Sequence, residues 1–139
     1  GLAPVRGMAW TDRSPLPTRR RLFLHYEAVV SDFYCDEVLS GATQVEVVWE
    51  TESVLAYHHT RPFWPVHIVV IPKQHVPSLT DLGDAPAGLL AELLDVVRHV
   101  AGDVEAEHGA ARVLTNLGEY QDSKHLHFHV NFGPARGGA

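Results

Sequence analysis

One cysteine, one methionine and a deficit of basic residues are the shortages that first bound this 139-residue chain. A lone Cys35 cannot close an internal disulfide, so a reducing, cytoplasmic setting is the simplest expectation. Lys and Arg number 11 against 17 Asp and Glu, a formal net charge of −6. Gripping a nucleic-acid backbone needs a basic surface, so no specific nucleic-acid partner is expected. No run nears the roughly 18–20 apolar residues of a membrane-spanning helix, and no signal-peptide pattern is visible, so no membrane association is expected. A hydrophobic content of 45% excludes a disordered chain, and the length suits a single domain with a real core.

What the chain has in excess is histidine. There are 10, and three of them stand within five consecutive residues, at 125, 127 and 129.

The ends differ from the middle. Residues 1–21 hold five of the 11 basic residues, three prolines and one acid, and read as a flexible N-terminal arm. The one Met is Met8, so residues 1–7 read as an expression scar. From residue 22 onward six basic residues face 16 acidic ones, a net of −10. The expected domain is 22–134, with 135–139 a frayed tail.

Within the domain, Leu22–Val30 is ambiguous in period, and a shorter N-terminal helix is expected ahead of the sheet. Val45–Glu50 and Val54–His58 read as strands joined by a hairpin, and Val66–Ile71 as a β-branched strand buried on both faces. Asp84–His108 is the one long helix, with Asp84 as N-cap, Pro86 in the first turn and Gly109 as the stop. Its apolar stripe is wide enough for core and partner together. Arg112–Thr115 is a further short strand, and Leu126, Phe128 and Val130 alternate with the clustered histidines in the last. About five antiparallel strands with one long helix make an α+β layout.

Alternation in a strand aims His125, His127 and His129 at one face, with a rise of about 3.3 Å per residue. Crowded imidazoles suppress one another's protonation, which keeps a nucleophilic nitrogen available near neutral pH. Such an array can ligate a metal, or it can surround an anion with N–H donors while one neutral nitrogen attacks it.

His125-Leu126-His127-Phe128-His129-Val130-Asn131 resembles the signature of the histidine triad (HIT) family. The likeness extends upstream through Val54–His59 and Val66–His75, and through Thr115–Gly118 into Gln121, about 100 residues in all. The resemblance implies a HIT-like fold and a nucleotide hydrolase or transferase. Its substrate would be a nucleoside phosphoramidate or a (di)nucleoside polyphosphate, attacked at the α-phosphorus. By the same resemblance His127 is the nucleophile and carries a covalent nucleotidyl group, while His125, His129 and His67 hold the phosphate oxygens. Asn116 would lie beside the phosphate, and His58, His59, Gln121, Asp122 and Ser123 would contact substrate. No metal is required for this route, and a homodimer is implied.

Three positions depart from the pattern. His59 stands where a ribose-binding Asp is usual, Asp122 where Ser or Thr is usual, and Asn131 replaces an apolar residue and reads as an edge effect of the strand end. Some bacterial members bind zinc through Cys-x-x-Cys and histidines; the matching stretch here is Asp32-Phe33-Tyr34-Cys35. A metalloprotein using Asp32, Cys35, His67 and His125 is therefore one alternative, and a nucleotide-binding protein with little turnover is another. His25, His75, His99 and His108 need no function on this reading.

Overall fold

The computed structural model describes residues 34–136. The arm, the segment Leu22–Val30 with its expected helix, and residues 137–139 lie outside the described residues.

Five strands form one antiparallel sheet. In chain order they are β1 (Val47–Glu50), β2 (Val54–His58), β3 (Val66–Pro72), β4 (Arg112–Leu114) and β5 (Phe128–Phe132), arranged β1-β2-β3-β5-β4. A short turn joins β1 to β2, and the loop 59–65 joins β2 to β3. The helix α1 (Leu89–His108) spans the passage from β3 to β4, and β5 then inserts between them. This is the α+β arrangement expected. No helix among the described residues is long and apolar enough to cross a membrane.

The period-two geometry of the strands sorts their side chains into two layers. Val54, Ala56, Ile68, Val70, Phe128 and Val130 face α1 and pack on Leu89, Leu93, Val96, Val97, Val100 and Val104. Leu55, Tyr57, Val69 and Ile71 face the other way and pack on Tyr34 and Val38 from a π-helical turn, Tyr34–Val38. Ile68 to Ile71 are thus buried without a break, because both faces of β3 are covered.

The helix begins later than its composition suggests. Asp84 does not cap it: the chain turns first, with the Ala85 N–H on the Leu82 carbonyl and the Leu89 N–H on that of Pro86. Pro86 therefore lies ahead of α1 rather than in its first turn. The stop at Gly109 is as expected, in a left-handed conformation with its N–H on the Glu105 carbonyl.

Residues 133–136, the end of the described chain, are held by hydrogen bonds. The Arg136 N–H donates to the Phe63 carbonyl at 2.5 Å, and its guanidinium reaches the Pro62 carbonyl at 3.3 Å. Arg112 likewise donates to the Gly133 carbonyl at 2.7 Å. These ties fasten residues 133–136 to the 60s loop and to β4.

Candidate active site

His127 immediately precedes β5, His129 lies within it, and His67 lies on β3. The register pairs Val69 with His129 and His67 with Asn131, so all three imidazoles emerge on the face opposite α1. They are buried, at 3% exposure for His67, 5% for His127 and 9% for His129.

Their hydrogen bonds determine which ring nitrogen carries the proton. The Phe63 backbone N–H donates to His67 Nδ1 at 3.0 Å, so in the neutral ring Nε2 holds the hydrogen. That Nε2–H faces His129 Nδ1 at 2.8 Å, which places the His129 proton on its own Nε2. His127 Nδ1 lies 2.7 Å from the His125 carbonyl and must donate to it, leaving Nε2 with the free lone pair. Thr115 fixes the same stretch by donating its hydroxyl to the His127 carbonyl at 2.7 Å.

Burial keeps these rings neutral. It depresses His67 to about 3 and His129 to about 4, helped by the neighbouring histidines. His127 is also lowered, first by burial, although its bond to the His125 carbonyl and the charge of Asp122 pull the other way. The site therefore offers one imidazole lone pair beside imidazole N–H donors.

The three rings open onto a cavity of about 650 Å³. His59, Asn116, Asp122 and Ser123, each a candidate substrate contact, also line it. His59 lies flat on His67, ring centroids 4.2 Å apart and planes at 19°.

Three expected residues stand elsewhere. His125 does not line the cavity: it is fully buried and donates from Nε2 to the Pro72 carbonyl at 2.8 Å. It precedes the regular strand, where the Leu126 N–H bonds the Val76 carbonyl and turns that stretch toward Pro72. His58 is exposed at the end of β2, on the other side of the strand from His59. Gln121 is buried and spends its amide on the Pro77 carbonyl at 2.8 Å.

Other residues of the site were not foreseen. Tyr34 is buried against the nucleophile candidate, its ring centroid 4.7 Å from that of His127. Tyr57, Thr43 and Tyr120 also reach the cavity. Tyr57 falls in the expected strand Val54–His58, and its parity with Leu55 is the available signal. Nothing local marked Tyr34, which arrives from 93 residues away.

Asn131 is no edge effect. It is fully buried and accepts a hydrogen bond from Arg112 of β4 through Oδ1.

A second cluster lies beside the first. Cys35 Sγ is 3.3 Å from His125 Nδ1 and 3.7 Å from His75 Nδ1, and the three ligating atoms fall within 4.8 Å of one another. Zinc bonds of about 2.3 Å to sulfur and about 2.0 Å to nitrogen, at tetrahedral angles, put ligand atoms about 3.5 Å apart, close to the two Cys35–histidine distances. The Pro72 carbonyl holds the His125 proton on Nε2 and aims a bare Nδ1 at the cluster. The donor set fits a zinc-like ion, which would serve as a clamp between the π-helical turn and the sheet. The histidine that joins Cys35 and His125 is His75, not His67, whose nitrogens are committed to Phe63 and His129. Asp32 lies outside the described residues.

A five-stranded antiparallel sheet, one helix on its back and interlocked neutral imidazoles on its front define a class of α+β proteins with a histidine-built pocket. The comparisons give that class its family. The HIT-domain model matches residues 41–133, and the chain belongs to the histidine triad family. An HIT-like protein of Azospirillum brasilense is 37% identical over 99 residues, covering 69% of this chain and 81% of its own. The crystal structure of an HIT family hydrolase from Legionella pneumophila is 27% identical, with a TM-score of 0.64 over 75% of this chain and 94% of that one. A hypothetical histidine triad nucleotide-binding protein from Sulfolobus tokodaii is 29% identical, with a TM-score of 0.63, covering 76% and 70% respectively.

Proposed function

We propose that this protein is a nucleotide hydrolase or transferase that attacks the α-phosphorus of a nucleoside phosphoramidate or (di)nucleoside polyphosphate through His127. The observation that carries the reading is the hydrogen bond from His127 Nδ1 to the His125 carbonyl, which leaves Nε2 as the lone-pair nitrogen of a residue lining the cavity. The names of the Legionella hydrolase and the Sulfolobus nucleotide-binding protein support the same reading.

In the first step a bond forms from Nε2 to phosphorus while the bond from phosphorus to the leaving group breaks. The departing amine or phosphate takes the electron pair, and an amine also takes a proton from solvent. Negative charge on the phosphoryl oxygens meets the Nε2–H of His129, held in place by His67. Water then displaces His127, releasing the nucleoside monophosphate and regenerating the imidazole.

The resting protein takes a nucleotide or nucleotide conjugate as its partner and works as a homodimer in the cytoplasm. The half-buried stripe of Leu90, Leu94 and Ala101 on α1 and the exposed Val113 on the edge strand β4 support a second copy as neighbour.

Stereochemistry tests the two-step route. Each in-line displacement inverts phosphorus, so hydrolysis of a P-chiral nucleoside phosphorothioate analogue in labelled water should give net retention. Net inversion would mean that water attacks directly and would overturn the covalent route.

A further inference from the structure

Among the described residues, His59 is the one imidazole of the pocket to which the route above gives no task. Its Nδ1 accepts the backbone N–H of Arg61 at 2.9 Å. A ring nitrogen that accepts a hydrogen bond carries no proton, so Nε2 carries it. Protonating the ring would set one N–H against another, so the remaining nitrogen is a donor and never an acceptor. The flat contact with His67, and a nearly parallel one with His129 at 6.2 Å, fix the plane of the ring.

Among the described residues, Arg61 is the one cation lining the cavity and Asp122 the one carboxylate. His59 and Arg61 together make a wall that offers hydrogen and positive charge. A sugar hydroxyl pair would be held best by a carboxylate; here the acceptor between His59 and Arg61 is the Thr60 hydroxyl. An oxyanion is what donors and a guanidinium match.

We propose that the His59–Arg61 wall binds a second anionic group of the substrate, close to the phosphorus that His127 attacks, so that the pocket prefers substrates with two phosphates to those with one. The proposal rests on the nucleotidyl reading and narrows its substrate class. The second anion could stand on the leaving side, as in a nucleoside diphosphate unit, or on the ribose. With a diphosphate, the Nε2–phosphorus bond forms as the bridging P–O bond breaks, and the outer phosphate leaves with the electron pair.

Calorimetric titration of the full chain with three stable probes tests this: adenosine 5′-monophosphate, α,β-methylene adenosine diphosphate and adenosine 3′,5′-bisphosphate. One of the two doubly phosphorylated probes should bind about tenfold tighter than the monophosphate, the scale of one hydrogen bond to a charged group. The preferred probe identifies the side on which the second anion sits. In His59→Phe, which keeps an aromatic ring on His67 and removes the donor, the preference should fall toward unity while Arg61 remains. Equal or tighter binding of the monophosphate, or a preference that survives in His59→Phe, overturns the proposal. A nucleotidyl adduct on His127 without the preference sinks this inference alone. The preference without an adduct sinks the covalent route alone, and no binding of any probe overturns both.

Discussion

His67 donates from Nε2 to His129 Nδ1 across 2.8 Å, and this bond joins β3 to β5 at the floor of the cavity. It transmits the backbone of the 60s loop, through Phe63, to the proton that His129 presents. In the proposed route, positioning of the His129 donor thus depends on a residue that needs no contact with substrate.

His67→Phe preserves the ring and removes both bonds. Nucleotidyl transfer should drop about 10²-fold, the scale of one misplaced donor at a developing oxyanion. His129 Nδ1 is then buried without a donor, so stability should fall by about 1–3 kcal/mol. Steady-state kinetics and denaturant melts read the two effects; a variant with unchanged kcat would contradict the role of the relay.

Acid should loosen the fold before it ionises the pocket. Free histidines titrate near 6.5, whereas His67 and His129 in the folded chain wait until about 3 and about 4. Between these limits the unfolded chain binds more protons, so stability falls as pH drops below 6.5 and, for these groups, is constant above it. Thermal melts should show a declining Tm from pH 6.5 to 4.5, with a shallower decline in His67→Phe. A Tm that is flat across that range would refute the buried, neutral imidazoles.

Gly133 links the tail to the pocket wall. Its φ is +99°, and a Cβ there would stand 2.7 Å from Pro65 Cγ. Gly133→Ala should cost about 1–3 kcal/mol from backbone strain and displace the 60s loop. Melts combined with KM for a nucleotide substrate would register both; a variant with native Tm and KM would show that the loop tolerates the shift.

Zinc should bind at one equivalent per chain and stabilise by about 2.7 kcal/mol at 100 times its Kd. Cys35→Ala and His75→Ala should abolish the effect, and His67→Phe should retain it. Binding that depends on His67 instead would place the ion in the wrong cluster.

The order of the strands' roles was legible because β3 and the triad stretch have unambiguous periods: Val66–Ile71 is uniformly β-branched, and the histidines alternate strictly. Alternation put His125 with His127 and His129, yet the chain bends before β5, and the Leu126 bond to Val76 delivers His125 to Pro72 and Cys35 instead. His75 looked idle because its partners are 40 and 50 residues away. The helix start was misplaced because Asp84 and Pro86 favour a cap and a turn equally well. Asn131 was misread because its meaning lies in Arg112, across a strand pairing that composition does not disclose.

The proposed route stands or falls on whether His127 Nε2 becomes bonded to phosphorus. Brief incubation with a nucleoside 5′-phosphoramidate, a denaturing quench at neutral to alkaline pH and peptide mapping by mass spectrometry measure this directly. The peptide bearing His127 should carry a nucleotidyl group, and His127→Ala should show no adduct and turnover reduced by at least about 10³-fold. An unmodified His127 peptide together with full turnover in His127→Ala would contradict it.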